Sequence, residues 1–251
     1  MNFKTMIMKT KRWKLTIALC AVLPLFIFSG CEEYVIGING QGEIVEQTVI
    51  LDDFDGFVSG IAADIYVTQG DHQEVVIKAQ QNIIDNIDLD RVYDGIWTIR
   101  YHQWVGYSKP VEIYITVPTL TQAAISGSGD IFGLTPFTDL DKLTLRISGS
   151  GSIDLDTESK ALDVSISGSG DLRLAGQTDD LDLTVSGSGS LKGTNLVATR
   201  ADLRISGSGN ARLEVEDFLR VVVSGSGDVN YSGNPELDIH ISGSGSVIHG
   251  F

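Results

Sequence analysis

The chain has 251 residues, with 18 Lys and Arg against 33 Asp and Glu and a formal net charge of −15. So acidic a balance repels nucleic-acid phosphates and anionic head groups, which excludes nucleic acid as a partner class. The only cysteines are Cys20 and Cys31, so a disulfide framework cannot replace a core, and the length is enough to build one without it.

The first 30 residues read as an export signal. Lys4, Lys9, Lys11, Arg12 and Lys14 give a basic start, and residues 15–29 form an apolar run broken by Pro24. The run is shorter than the ~20 residues a membrane-spanning helix needs. Met1, Met6 and Met8 all fall here, which leaves the start residue open. The run closes on Phe28-Ser29-Gly30-Cys31. This resembles a bacterial lipoprotein signal, in which small residues precede a cysteine that is lipidated and becomes the new N-terminus; Phe28 stands where such signals usually carry Leu. The alternative is an ordinary signal peptide with an incidental cysteine. Loss of residues 1–30 leaves 13 basic and 33 acidic residues, a formal −20. Several acyl chains on Cys31 would hold the protein to the membrane. Glu32 and Glu33 follow, and acidic residues there accompany surface delivery in some Gram-negative lipoproteins. Residues 31–42, with Gly37, Gly40 and Gly42, read as a tether.

Residues 43–122 are strand-rich without repeating. Segments 45–51, 64–68, 74–79 and 111–117 alternate or are β-branched, which is strand signal. Asp94-Gly95 predicts a two-residue hairpin turn, and residues 80–87 a short helical turn or a loop. Val58-Ser59-Gly60-Ile61 reads as a degenerate copy of the later repeat. The region is expected to merge with the repeats and cap them. Trp97, Tyr101, Trp104 and Tyr107 cluster here; they can stack on a sugar ring or seal the N-terminal end.

From residue 123 Ser-Gly-Ser-Gly recurs seven times, starting at Ser126, Ser148, Ser167, Ser186, Ser206, Ser224 and Ser242. Apolar residues alternate on either side, as in Leu162, Val164, Ile166, Leu172 and Leu174. A unit of 18–22 residues with two short strands cannot bury its apolar face alone, so it must stack on copies of itself. The fold expected is all-β, a right-handed parallel β-solenoid of about eight coils, roughly 35–40 Å long. The chain parity turns both glycines of each motif inward and both serines outward, so the glycines allow either a close approach of opposing walls or a sharp corner.

Two columns carry charge along the stack. The residue after each motif reads Asp130, Ser152, Asp171, Ser190, Asn210, Asp228, Ser246; acids alternating with neutral residues avoid like charges on neighbouring rungs and do not match the Gly/Asp nonapeptides of calcium-binding solenoids. A second column reads Thr144, Asp163, Asp182, Asp202, Arg220, Asp238. Asp163, Asp182 and Asp202 are candidate cation ligands, although Arg146, Arg204 and Arg220 lie close enough to pair with them. His72, His102, His240 and His249 lack metal-ligand spacing, no nucleophile elbow accompanies the serines, and no convergent carboxylates mark a polysaccharide-cleaving cleft. No cofactor and no catalytic residue are expected. After the seventh repeat comes one short strand at 247–249. This predicts a contact surface contributed by Val247, Ile248 and Phe251, or Phe251 folded over the end as a plug.

The iterated Val/Ile-Ser-Gly-Ser-Gly-Asp/Ser, together with Gly37-Ile38-Asn39 and residues 57–71, resembles the putative auto-transporter adhesin "head GIN" domain family. The resemblance covers nearly all of the mature chain. It implies a β-solenoid, a periplasmic or surface location and no known catalytic residues. The function expected is a lipid-anchored, non-catalytic adhesion or binding module of the cell envelope, with a glycan or protein ligand and possible self-association. The alternatives are an envelope structural protein that multimerises through the solenoid and a protein acting on polysaccharide.

Overall fold

The computed structural model describes residues 37–250. The export signal, Cys31 and Phe251 therefore lie outside the described residues. In chain order the elements are β1 (Ile38–Asn39), β2 (Ile44–Val49), β3 (Gly56–Ser59), β4 (Asp64–Gln69), β5 (Glu74–Gln80) and a helical turn α1 (Gln81–Ile84). Then come β6 (Val92–Tyr93), β7 (Ile96–Ile99), β8 (Val105–Tyr107), β9 (Glu112–Val117), β10 (Gln122–Gly127) and β11 (Asp130–Gly133). The long strands follow: β12 (Phe137–Gly149), β13 (Ser152–Gly168), β14 (Asp171–Gly187), β15 (Ser190–Gly207) and β16 (Asn210–Gly225). The chain closes with β17 (Asp228–Ser232), β18 (Glu236–Gly243) and β19 (Ser246–His249). The strands stack mostly in parallel into a β-solenoid of about 7 turns, against the eight expected.

The repeat sets the register. Ser-Gly-Ser-Gly pairs with Ser-Gly-Ser-Gly in successive coils, as Ser148, Ser167, Ser186 and Ser206 do, each aligned with the next. Strand geometry ends at the first glycine and resumes after the second, so the motif is the corner. Gly168 sits at φ +122°, and a Cβ there would lie 2.5 Å from the Gly149 carbonyl oxygen. At Gly170 a Cβ would strike the Gly151 carbonyl oxygen and Ile147. The glycines therefore face the backbone of the preceding coil, and the corner reading of their parity holds. The conformation frees the first glycine's carbonyl to accept from the second serine's N–H of the next coil: Ser169 N–H to Gly149 O at 2.9 Å, Ser188 N–H to Gly168 O at 2.8 Å and Ser226 N–H to Gly207 O at 2.8 Å. Both serine side chains are exposed.

The N-terminal coils do not stack in chain order. β3 pairs with β7 on one side and β10 on the other, and β4 lies between β9 and β11. The first coil (β3, β4) is thus sandwiched between the second (β7, β9) and the third (β10, β11). Beyond the second coil the pairing turns antiparallel: β6 closes against β7, while β5 pairs with β9 and β2 with β5. The β6–β7 turn has Asp94 at φ 51° and Gly95 at φ 72°, the doubly positive geometry expected of that pair. Antiparallel strands and α1, with Ile83 and Ile84 buried, cover this end as a cap.

One apolar column runs the length of the stack: Trp97, Phe57, Ala123, Leu145, Val164, Leu183, Leu203, Val221, Ile239. Ala123 beside Phe57 is a small residue against a large one, which lets coils of unequal girth keep one spacing. The degenerate motif at residues 58–61 is out of step by one position: Ser59 aligns with Ile125, not Ser126, and is buried, donating its hydroxyl to Ile61 O at 3.3 Å.

Candidate binding surfaces

Four surfaces differ from the ordinary solvated strand face. The first is at the cap. Residues 37–42, expected to belong to the tether, are instead tied down. β1 pairs with β8, Ile38 packs on the core, and Ile38 N–H and Gly40 N–H donate to Trp104 O and Tyr107 O at 2.9 and 2.7 Å. Asn39 Oδ1 accepts the Tyr107 N–H at 3.0 Å, and Asn39 O accepts from Asn82 at 2.8 Å. Any Cβ on Gly37 would collide with the Trp104 ring, so the indole packs against bare backbone there. Trp104 remains 63% exposed and Tyr107 71%.

The four aromatics grouped in the sequence therefore part company. Trp97 is fully buried, with its ring centroid 5.7 Å from that of Phe54, and cannot reach a ligand. Tyr101 is half-buried against the core, where burial pushes its hydroxyl up to about 12. Only Trp104 and Tyr107 stay available as stacking surfaces, because the strand alternation that turns Trp97 inward does not govern the two-stranded β1–β8 pair.

Beside them is a site that the sequence did not reveal. The Asp88 carboxylate is buried and accepts from Arg91 Nε at 2.8 Å and Arg100 Nε at 3.2 Å, with His102 Nδ1 3.9 Å away. Burial opposes its charge, but the arginine hydrogen bonds and the nearby His102 prevail and hold it below its ordinary value. Asp88 also fixes Trp97, whose Nε1–H donates to Asp88 O at 3.4 Å.

The columns behave as ladders. Asp130 Oδ1 accepts both the N–H and the hydroxyl of Ser152 at 2.8 and 2.7 Å, and Asp228 Oδ1 does the same for Ser246 at 2.9 and 2.6 Å. At these two steps the acid–serine alternation is a hydrogen-bond device as well as a way to separate charge, whereas Asp171, on the rung between, pairs with Lys192 and the Ser190 N–H donates to Gly170 O. In the swapped coils the alternation fails: Glu112, Asp64 and Asp130 stand on successive rungs. Burial, then Asp130 and Glu112, raises the Asp64 carboxyl above its ordinary value. Two positions further along the strands, Tyr114, Tyr66 and Phe132 stack with centroids 4.8 and 5.4 Å apart, and the Lys78 ammonium sits 4.7 Å over Tyr114.

The candidate cation ligands Asp163, Asp182 and Asp202 are in register as expected. Each already has a cation from the chain: Lys142 meets Asp163 at 2.5 Å, and Arg204 bridges Asp182 at 3.2 Å and Asp202 at 2.6 Å. Asp202 Oδ1 is buried without a hydrogen-bond partner. Among the described residues, no group of three His, Cys, Asp or Glu could hold a metal ion.

A shallow groove of about 490 Å³ crosses five successive strands, β12 to β16, with Asp139, Glu158, Lys160, Asp179, Thr199 and Glu216 in its lining. At the far end of the stack Val247 is half-buried and Ile248 is 48% exposed.

Corner glycines, rung ladders and an antiparallel cap define a parallel β-solenoid of the Ser-Gly-Ser-Gly type. The chain belongs to the family described as putative auto-transporter adhesin, head GIN domain, whose model matches residues 53–235; Gly37-Ile38-Asn39 lies outside that match. No curated protein matches. Among solved structures, the chain is similar to a putative adhesin from Bacteroides fragilis, with a TM-score of 0.80, 25% identity and coverage of 85% of this chain and 100% of that one. A putative lipid binding protein from Parabacteroides distasonis shares the fold with a TM-score of 0.68 and 21% identity, covering 85% and 99%. A putative adhesin from Parabacteroides merdae does so at 0.69 and 18%, with the same coverages. Family and neighbours together support a non-catalytic binding role at the cell surface or envelope.

Proposed function

We propose that this protein is an adhesion module of the cell envelope, held to the membrane by acyl chains on Cys31, that binds a glycan or glycosylated protein through the exposed face of Trp104 and Tyr107. The carrying observation is that a sequence-distant glycine, Gly37, gives Trp104 room against the backbone while the indole stays 63% exposed. An aromatic platform of this kind stacks on the apolar face of a sugar ring. Along the repeats several outer acids are instead paired with a cation of a neighbouring rung, as Asp163 is with Lys142 and Asp180 with Arg200. The lipid-binding description of one neighbour gives a second ligand class for the same apolar platform.

The test is a glycan-array and host-matrix screen on residues 32–251, followed by Trp104→Ala and Tyr107→Ala on any ligand found. Binding should fall at least tenfold with either change while unfolding midpoints move little. A ligand whose affinity ignores both substitutions refutes the platform. Anchoring is tested separately: Cys31→Ser should move the protein from membrane to soluble fractions, and unchanged partitioning refutes the lipid anchor.

A further inference from the structure

Among the described residues the two ends of the solenoid differ: antiparallel strands lie over one, and no strand lies over the other. β18 pairs with β16 along one edge; among the described residues no strand pairs with its other edge. Leu237, Ile239 and Ile241 are 43%, 38% and 43% exposed, whereas their register partners one coil earlier, Leu219, Val221 and Val223, are at 0%, 0% and 1%. These three side chains keep the inward parity of the core, so they present an apolar cross-section rimmed by free backbone N–H and C=O groups. Such an edge is a template for strand addition.

We infer that the occupant of this edge is the same edge of a second copy, joined by an antiparallel β18–β18 pairing about a two-fold axis through Ile239. At the cap the outermost long strand, β2, pairs only with the antiparallel β5, so a head-to-tail contact of open end on cap would join two unlike strands. An isologous contact needs only the open end. A two-fold antiparallel pairing that keeps inward residues facing inward residues must centre on a residue, and the side chains select which. Centring on Asp238 sets aspartate against aspartate, and centring on His240 sets histidine against histidine. Centring on Ile239 sets Ile239 against Ile239, Leu237 against Ile241, and Asp238 against His240. That register matches apolar with apolar and acid with base throughout, each cross-strand pair adding to the contact. Asp238 is already drawn toward His240 and Arg220 within its own chain, at 3.2 and 3.6 Å, so its charge is oriented at the rim.

The test uses residues 32–251, which include every described strand and no native cysteine. Sedimentation should show reversible dimer at micromolar concentrations. Under mild oxidation Ile239→Cys should crosslink to itself, Leu237→Cys and Ile241→Cys should each fail alone, and a mixture of those two should give the crosslinked heterodimer. His240→Glu should weaken the dimer several-fold, and the exchange Asp238→His with His240→Asp should restore it. A strictly monomeric unsubstituted chain overturns self-association. A dimer in which the Ile239→Cys thiol stays free, or in which the Leu237→Cys variant crosslinks to itself, overturns this register. None of these outcomes depends on whether Cys31 is acylated.

Discussion

Trp97 and Ile239 occupy the same column of side chains at opposite ends of one stack, yet the first is fully buried and the second is 38% exposed. Every coil between them obeys one rule: a neighbour above and a neighbour below. At the cap that rule is met by other means, with a swapped coil order, three antiparallel strands and a helical turn standing in for the missing neighbour. At the open end nothing described stands in. The difference teaches that a repeat stabilises only its interior. How each end is finished depends on sequence outside the repeat, and it is at the ends that the exposed aromatic and aliphatic side chains gather.

The largest expected effect breaks that comparison directly. Trp97→Ala should lose about 3–5 kcal/mol, the cost of emptying a well-packed aromatic site, whereas Ile239→Ala should lose about 1 kcal/mol in the monomer because much of its surface is already wet. Urea unfolding of both at low protein concentration checks this, and equal losses would mean that the two ends are finished alike. Next comes the corner. Gly168→Ala should cost about 2–3 kcal/mol, since its φ disfavours a side chain and its Cβ faces a carbonyl that cannot yield. Gly243→Ala in the last coil should cost less, because an unstacked coil can shift. Ser167→Ala and Ser169→Ala should stay within about 0.5 kcal/mol, as exposed surface changes do.

Asp88 of the cap and Asp64 of the first coil give opposite pH signatures. Asp88 titrates lower folded than unfolded, so its contribution is present above the unfolded carboxylate value of ~3.9 and is lost as pH falls through the folded value. Asp64 titrates higher folded, so it favours the fold when protonated, and that contribution is lost as pH rises through its raised value. Asp88→Asn should therefore destabilise at pH 7, with a penalty that shrinks in acid. Asp64→Asn should stabilise at pH 7 by about 0.5 kcal/mol, the scale of one cross-strand like-charge contact removed, with a gain that vanishes in acid. Thermal melts at pH 7 and pH 3.5 separate the two signs; matching pH trends would refute the charge assignments.

The repeat region was legible because its information is local. The apolar alternation, the corner glycines and the acid–serine column are all set by neighbours at a fixed spacing of 18–22 residues, and register follows from matching each motif to the next. The presence of a cap was legible, but its strand order and packing were not, for reasons that are equally physical. The exchange of first and second coils depends on β3 and β4 finding partners on both edges, and alternation within a strand says nothing about which strand lies alongside. Gly37, Gly40 and Gly42 look like a linker by composition, yet Gly37 and Gly40 are glycine because Trp104 and Gln80 occupy the space a Cβ would need. Asp88, Arg91, Arg100 and His102 meet across a hairpin whose turn was readable but whose packed face was not. The aromatic grouping at 97–107 erred because Trp97 lies on a strand with inward parity while Trp104 and Tyr107 lie outside the main stack.

Amide hydrogen exchange followed as a function of protein concentration tests most directly the contrast between a closed end and an open end that self-pairs. The expected result is strong protection throughout β7 and β9 at every concentration, with amides at residues 236–243 exchanging quickly when dilute and slowing as the protein is concentrated. Residues 236–243 protected as fully as β16 at high dilution, or unchanged by concentration, would contradict it.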